Sequence, residues 1–134
     1  MITTDYIYNY LSDNGYNPHI MPGGELISFT CWNRKGYAIT YSKNNILCIM
    51  VNIDPPSGYN ESEARFAATE VMDKFILVKF IYSTKFYIPM ISCRVEQYIK
   101  REEDFEEIFL LAAQAIEQSI RTFSIVLREC KANI

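Results

Sequence analysis

The chain has 134 residues, 49% hydrophobic and 22% charged, with a net charge of −3. That composition is globular, and the length suits one domain over 1–134 with its own core. An acidic balance with scattered basic residues sets nucleic-acid binding aside, because neutralising phosphates needs a basic surface.

Thr3 or Thr4 can cap a first helix, with Asp5 in its opening turn and Ile7, Tyr10 and Leu11 at helical spacing. Gly15 is placed to stop it. Tyr6, Tyr8, Tyr10 and Tyr16 read as amphipathic cover at the margin of the core, or alternatively as a contact surface. The segment from Asn17 to Glu25, with Pro18, Pro22, Gly23 and Gly24, reads as a loop carrying an exposed His19.

Three strands are expected next. Leu26 to Trp32 alternates, with Ile27, Phe29 and Cys31 on one face. Asn33 to Gly36 suits a hairpin loop, and Tyr37 to Tyr41 alternates again. Ile46 to Ile53 is nearly all apolar, as in an interior strand covered on both faces. The short connections make these an antiparallel meander.

After Asp54-Pro55-Pro56-Ser57-Gly58, Asn60 and Glu63 have the spacing of a capping box. The helix they open should run to about Lys74 and bury Ala64, Ala67, Ala68, Val71, Met72 and Phe75. Ile76 to Tyr82 reads as a fourth strand and Phe86 to Tyr98 as a fifth, with Pro89 at an edge or a bulge.

The strongest signal is Arg101 to Lys131, which has no glycine or proline. Phe105, Ile108, Phe109, Ala112, Ile116, Ile120, Phe123, Leu127 and Cys130 form one helical stripe. Its acidic first turn and basic last turn match the helix dipole. The expected fold class is α+β in the order α-β-β-β-α-β-β-α. A five-stranded antiparallel sheet is packed with helices, and a long C-terminal helix closes the chain.

A helix of about 31 residues spans roughly 46 Å, against a domain diameter of roughly 36 Å. The Ser124–Lys131 end should therefore kink, fray or meet a partner. Leu110, Leu111, Ile125 and Val126 lie partly off the stripe and are the candidate interface. Aspartates at Ile125 and Val126 are expected to disturb assembly more than folding.

Catalytic signatures are missing. There is no G-x-S-x-G, P-loop, H-E-x-x-H or Rossmann fingerprint, and His19 is the single histidine. The acidic run from Glu102 to Glu107 reads as a solvated first turn. Asn52 and Asp54 flank a strand end, but nothing else converges on them. Cys31, Cys48, Cys93 and Cys130 are too dispersed for a zinc site and read as reduced thiols. No metal or cofactor is expected. No apolar run reaches the about 18 residues of a membrane span, and MITTDYIYNY lacks the pattern of a secretory leader. A cytoplasmic protein without membrane contact is the expectation.

The element order resembles the type III secretion chaperone-like fold and, within it, the YbjN-like bacterial proteins. The residues that carry the likeness are Leu11-Ser12-Asp13-Asn14-Gly15-Tyr16 at a helix end and Ile27-Ser28-Phe29, Tyr37-Ala38-Ile39 and Ile46-Leu47-Cys48-Ile49 in strands. Ala67-Ala68-Thr69-Glu70-Val71-Met72 in the second helix and Lys79 in the next strand complete it. Where the family tends to carry an asparagine near the end of the second helix, this chain has Met72-Asp73-Lys74. The resemblance implies a small acidic cytosolic homodimer. The secretion chaperones bind an extended client segment without ATP or metal, and YbjN-like proteins are linked to stress responses and regulation. It implies no catalytic residue.

The leading expectation is thus a non-catalytic protein-interaction module with a protein client. One alternative is a small-molecule binding domain or enzyme in which Lys79 and Arg94 hold an anion. Another is an immunity-type inhibitor of a toxin.

Overall fold

The computed structural model describes residues 2–53, 59–83 and 90–132. Helix α1 (Thr4–Asp13) starts where Thr3 accepts the Tyr6 N–H on its hydroxyl at 3.1 Å. It stops in a Schellman turn: Tyr16 N–H reaches back to the Leu11 carbonyl at 2.9 Å and Gly15 N–H to that of Ser12. The left-handed position this requires falls on Gly15, at φ 78°. The tyrosines Tyr6, Tyr8, Tyr10 and Tyr16 pack part-buried against the core.

Six strands follow in the described residues, not five. The additional one is β1 (His19–Ile20), which pairs antiparallel with β2 (Leu26–Cys31) through His19 opposite Ser28 and Ile20 opposite Ile27. It lies in the stretch expected to be loop. Two residues are too few to show a period, so the sequence carried no strand signal there. His19 is exposed in either setting. The order of elements is therefore α-β-β-β-β-α-β-β-α.

The loop before β3 (Arg34–Tyr41) is also shorter than expected. Trp32 and Asn33 alone make the turn, both left-handed at φ 49° and 62°, and Arg34 already pairs with Cys31. A bulge then absorbs the register change, with Gly36 at φ 95°. The antiparallel meander from β2 through β3 to β4 (Ile46–Ile53) forms as expected.

Coverage of β4 on both faces does not hold. Leu47, Ile49 and Val51 are buried, but Ile46, Cys48 and Met50 remain partly exposed. All three α-helices contribute to the core on one side of the sheet, and the other face has no helix over it among the described residues. The near-continuous apolar run hid this asymmetry, because a run without alternation does not say which face is open.

Helix α2 (Glu61–Lys74) opens with the expected capping box: Glu63 N–H donates to Asn60 Oδ1 at 2.9 Å and Asn60 N–H to Glu63 Oε1 at 3.1 Å. It buries Ala64, Ala67 and Val71. A turn at Phe75–Val78 follows, so β5 (Lys79–Ser83) starts later than expected and Ile76 is 99% exposed. Strand β6 (Met90–Tyr98) is interior, between β4 and β5. The expected start of this strand at Phe86, with Pro89, lies outside the described residues.

The sheet order is β1-β2-β3-β4-β6-β5, antiparallel throughout. Only β6 departs from sequence order, by slotting between β4 and β5. A short 3-10 turn at Glu102–Asp104 leads into α3 (Phe105–Ala132), 28 residues or about 42 Å. Along α3, Phe105, Phe109, Ala112, Ile116, Ile120, Phe123 and Leu127 are all buried. The helix is unbroken over its described length, and burial of Leu127 keeps its last turns on the domain.

Candidate functional site

Burying one stripe of α3 leaves the opposite side in solvent. Leu110, Leu111 and Ile125 are 40%, 56% and 48% exposed. Val126 is not part of that surface. It is 8% exposed and joins the core, because it lies on the same helix face as Phe123 and Leu127. The expectation that Val126→Asp disturbs assembly more than folding is corrected, because that side chain is core; the expectation remains for Ile125→Asp alone.

Lys79 and Arg94 are brought together directly, as cross-strand partners in β5 and β6. They lie on the face without helices. Lys79 is exposed, while Arg94 is half-buried and donates its Nε–H to Ser92 Oγ at 2.9 Å. The hollow around them also holds Met72, Ile76 and Glu96, about 330 Å3 in volume and open to solvent.

The outer side of β5 is the free edge of the sheet among the described residues. In an antiparallel pair, alternate residues turn their N–H and C=O groups away from the neighbour. Phe80 is one of these: its N–H contacts Met72 Sδ at 3.3 Å, a weak acceptor supplied by α2. By the same alternation Tyr82 also faces outward. Beside this edge, Ala64, Ala68, Met72, Phe80 and Ile91 line a largely apolar hollow of about 120 Å3 between α2 and the sheet. The Arg65 guanidinium stands at its mouth, 4.6 Å from the centre of the Tyr82 ring, and is held by Glu61 at 2.9 Å.

Sequence reading missed one polar cluster. Glu117, on α3, takes the Arg34 Nε–H at 2.7 Å and the Tyr37 hydroxyl at 2.8 Å on the same Oε1. Tyr37 is fully buried, and burial followed by the Glu117 hydrogen bond raises its phenol far above the ordinary value. The glutamate thereby satisfies a hydroxyl that would otherwise be buried without a partner. The only hint in the sequence was an acidic residue next to the apolar Ile116, which does not reveal a partner about 80 residues away.

The Cys31 and Cys93 thiols have little nucleophilic character. Burial, with a smaller contribution from the Glu117 charge, pushes Cys31 up to about 11 and Cys93 up to about 12, so both stay protonated at neutral pH. Among the described residues no three His, Cys, Asp or Glu side chains cluster as metal ligands, and no helix is long and apolar enough to cross a membrane.

No family model and no curated protein matches the chain. A solved structure does. The chain is similar to YbjN from E. coli, whose proposed role is as a transcription regulator, with a TM-score of 0.68 at 12% identity. The match covers 98% of this chain and 93% of that one. At that identity the likeness shows a YbjN-like fold, extending over the whole domain.

Proposed function

We propose that the chain is a non-catalytic protein-interaction module that binds an extended protein segment and works as a homodimer. The observation that carries this reading is the outer edge of β5. Among the described residues its outward Phe80 N–H meets only a thioether, and an apolar hollow lies alongside. A segment laid antiparallel on that edge would replace the thioether with a peptide carbonyl, a much stronger acceptor. Every second side chain would then point toward α2, and an apolar one would fill the hollow. The volume is somewhat below the about 150 Å3 that holds a benzene ring, so a branched aliphatic side chain suits it. Arg65 and Lys79 flank the edge and favour acidic residues on either side of that anchor. Regulation through such protein contacts agrees with the role proposed for YbjN and with the net negative charge of this chain.

The test is calorimetric titration with extended peptides that place valine, leucine or isoleucine between acidic residues. Ala68→Leu fills the hollow, and Tyr82→Pro removes an outward N–H without touching the β5–β6 ladder. Each should weaken binding roughly tenfold or more, the worth of about 1.4 kcal/mol. Equal affinity in both variants, or no binding to any such peptide, would remove the reading.

A second reading, an anionic ligand on the open sheet face, rests on one observation. Lys79 and Arg94 stand opposite each other, and like charges in that position repel. Inorganic phosphate should then raise the melting temperature of the protein but not that of Lys79→Met; an equal rise in both would dismiss it.

A further inference from the structure

The outer face of α3 is self-complementary. We infer that two copies of the chain pair through it, antiparallel, about a twofold axis at Gln118. This deepens the homodimer part of the proposed function and rests on it.

Leu111, Gln118 and Ile125 are spaced by seven residues, so they lie on one line of the helix. All three are exposed, and so are Gln114 and Arg121 between them. Gln118 is equidistant from the two apolar residues. A twofold axis there sets Leu111 against the partner's Ile125, and Ile125 against the partner's Leu111. An isologous contact requires this kind of match between a surface and its own rotated image.

The charges select the antiparallel arrangement. The first turn of α3 carries Glu106 and Glu107, while Arg121 and Arg128 lie toward its end. Antiparallel pairing about Gln118 sets Glu107 level with the partner's Glu129 and one residue from its Arg128, and Gln114 level with the partner's Thr122 and one residue from its Arg121. Parallel pairing would stack acid on acid and base on base. Opposed helix dipoles favour the same choice.

Trp32 adds an aromatic anchor. It is the single tryptophan of the chain, 51% exposed at the tip of the β2–β3 turn, and it borders a shallow hollow with Gln114, Gln118 and Arg121. Its backbone is left-handed at φ 49°, a strained conformation for a bulky residue. Asparagine or glycine would make the turn at less cost. The indole is placed where it covers the flank of a second α3, and tryptophan is among the residues that dominate interface energetics.

Sedimentation velocity on the full chain across the micromolar range tests the pairing. The wild type should sediment as a dimer. Leu111→Glu and Ile125→Glu should each weaken it at least about tenfold, with cooperative melting retained because both sites are exposed. Arg128→Glu should weaken it too, and adding Glu107→Arg should recover most of the loss. Under oxidising conditions Gln118→Cys should give a covalent dimer across the axis. A wild type that stays monomeric, a dimer indifferent to Leu111→Glu and Ile125→Glu, or a Gln118→Cys dimer that does not cross-link would overturn the inference. Peptide binding at β5 is scored separately. A monomeric Leu111→Glu that still binds peptide supports this interface, whereas lost peptide binding with an intact dimer counts only against the segment-binding reading.

Discussion

Phe109→Ala is expected to remove about 3–5 kcal/mol of stability, the range for deleting a fully buried phenylalanine. Phe109 is 0% exposed and sits at the centre of an aromatic cluster. Its ring lies 5.5 Å from Tyr10, 5.4 Å from Tyr16, 5.7 Å from Phe29 and 5.8 Å from Phe105. Those rings come from α1, the turn after it, β2 and α3, so one side chain ties the first helix to the sheet and to the last helix. Alanine would leave a cavity walled by rigid rings, which close on a void less easily than aliphatic chains. Domains are stable by only about 5–15 kcal/mol, so the variant should unfold at a much lower urea concentration. Leu111→Ala, two residues away on the exposed face, should shift the midpoint of a monomeric background little. A loss below about 1 kcal/mol for Phe109→Ala would show that the cluster is not the joint described here.

Stability should also fall steeply at alkaline pH. Cys31 and Cys93 are 1% and 0% exposed, and burial raises them from an ordinary value of 9.0 to about 11 and about 12. A raised folded value means that the folded state holds its proton more tightly than the unfolded one. The stability this contributes is complete below the unfolded value and is lost as pH rises through the folded values. Between pH 9 and 11 each thiol should therefore cost about 1.4 kcal/mol per pH unit. Tyr37, raised by burial and by its hydrogen bond to Glu117, adds to the loss above pH 10. Urea midpoints at pH 8, 10 and 11 measure the slope, and Cys93→Ala should flatten it by about one proton. A profile flat to pH 11 would mean that the thiols are solvated.

The residues explain which parts of this architecture were legible. Helix ends are local events. Thr3, the Gly15 turn and the Asn60–Glu63 box each need only three or four neighbouring residues, and all three formed as read. The stripe of α3 is a one-dimensional pattern, and its main positions are buried. Strand β1 failed the same approach because His19 and Ile20 extend only by borrowing the edge of β2. Val126 was misplaced because a stripe drawn with strict steps of three and four is narrower than the face that a sheet and a second helix together cover.

The candidate surfaces were legible only in part. Leu110, Leu111 and Ile125 stood out as surplus apolar residues, whereas the outward Phe80 N–H, its Met72 contact and the hollow beside it involve two elements whose approach no spacing announces. Lys79 and Arg94 were chosen singly; their pairing depends on the register of β5 against β6.

By itself the sequence determined the helices, the β2–β4 meander and the buried stripe of the last helix, because periodicity, capping and turn chemistry act over a few neighbouring residues. Only the tertiary structure decided that β6 enters between β4 and β5 and that, among the described residues, β5 is an edge and one face of the sheet stays open. It alone set the Glu117 carboxylate on Tyr37 and Arg34. These features depend on which distant surfaces exclude water together, and that is a property of the packed chain.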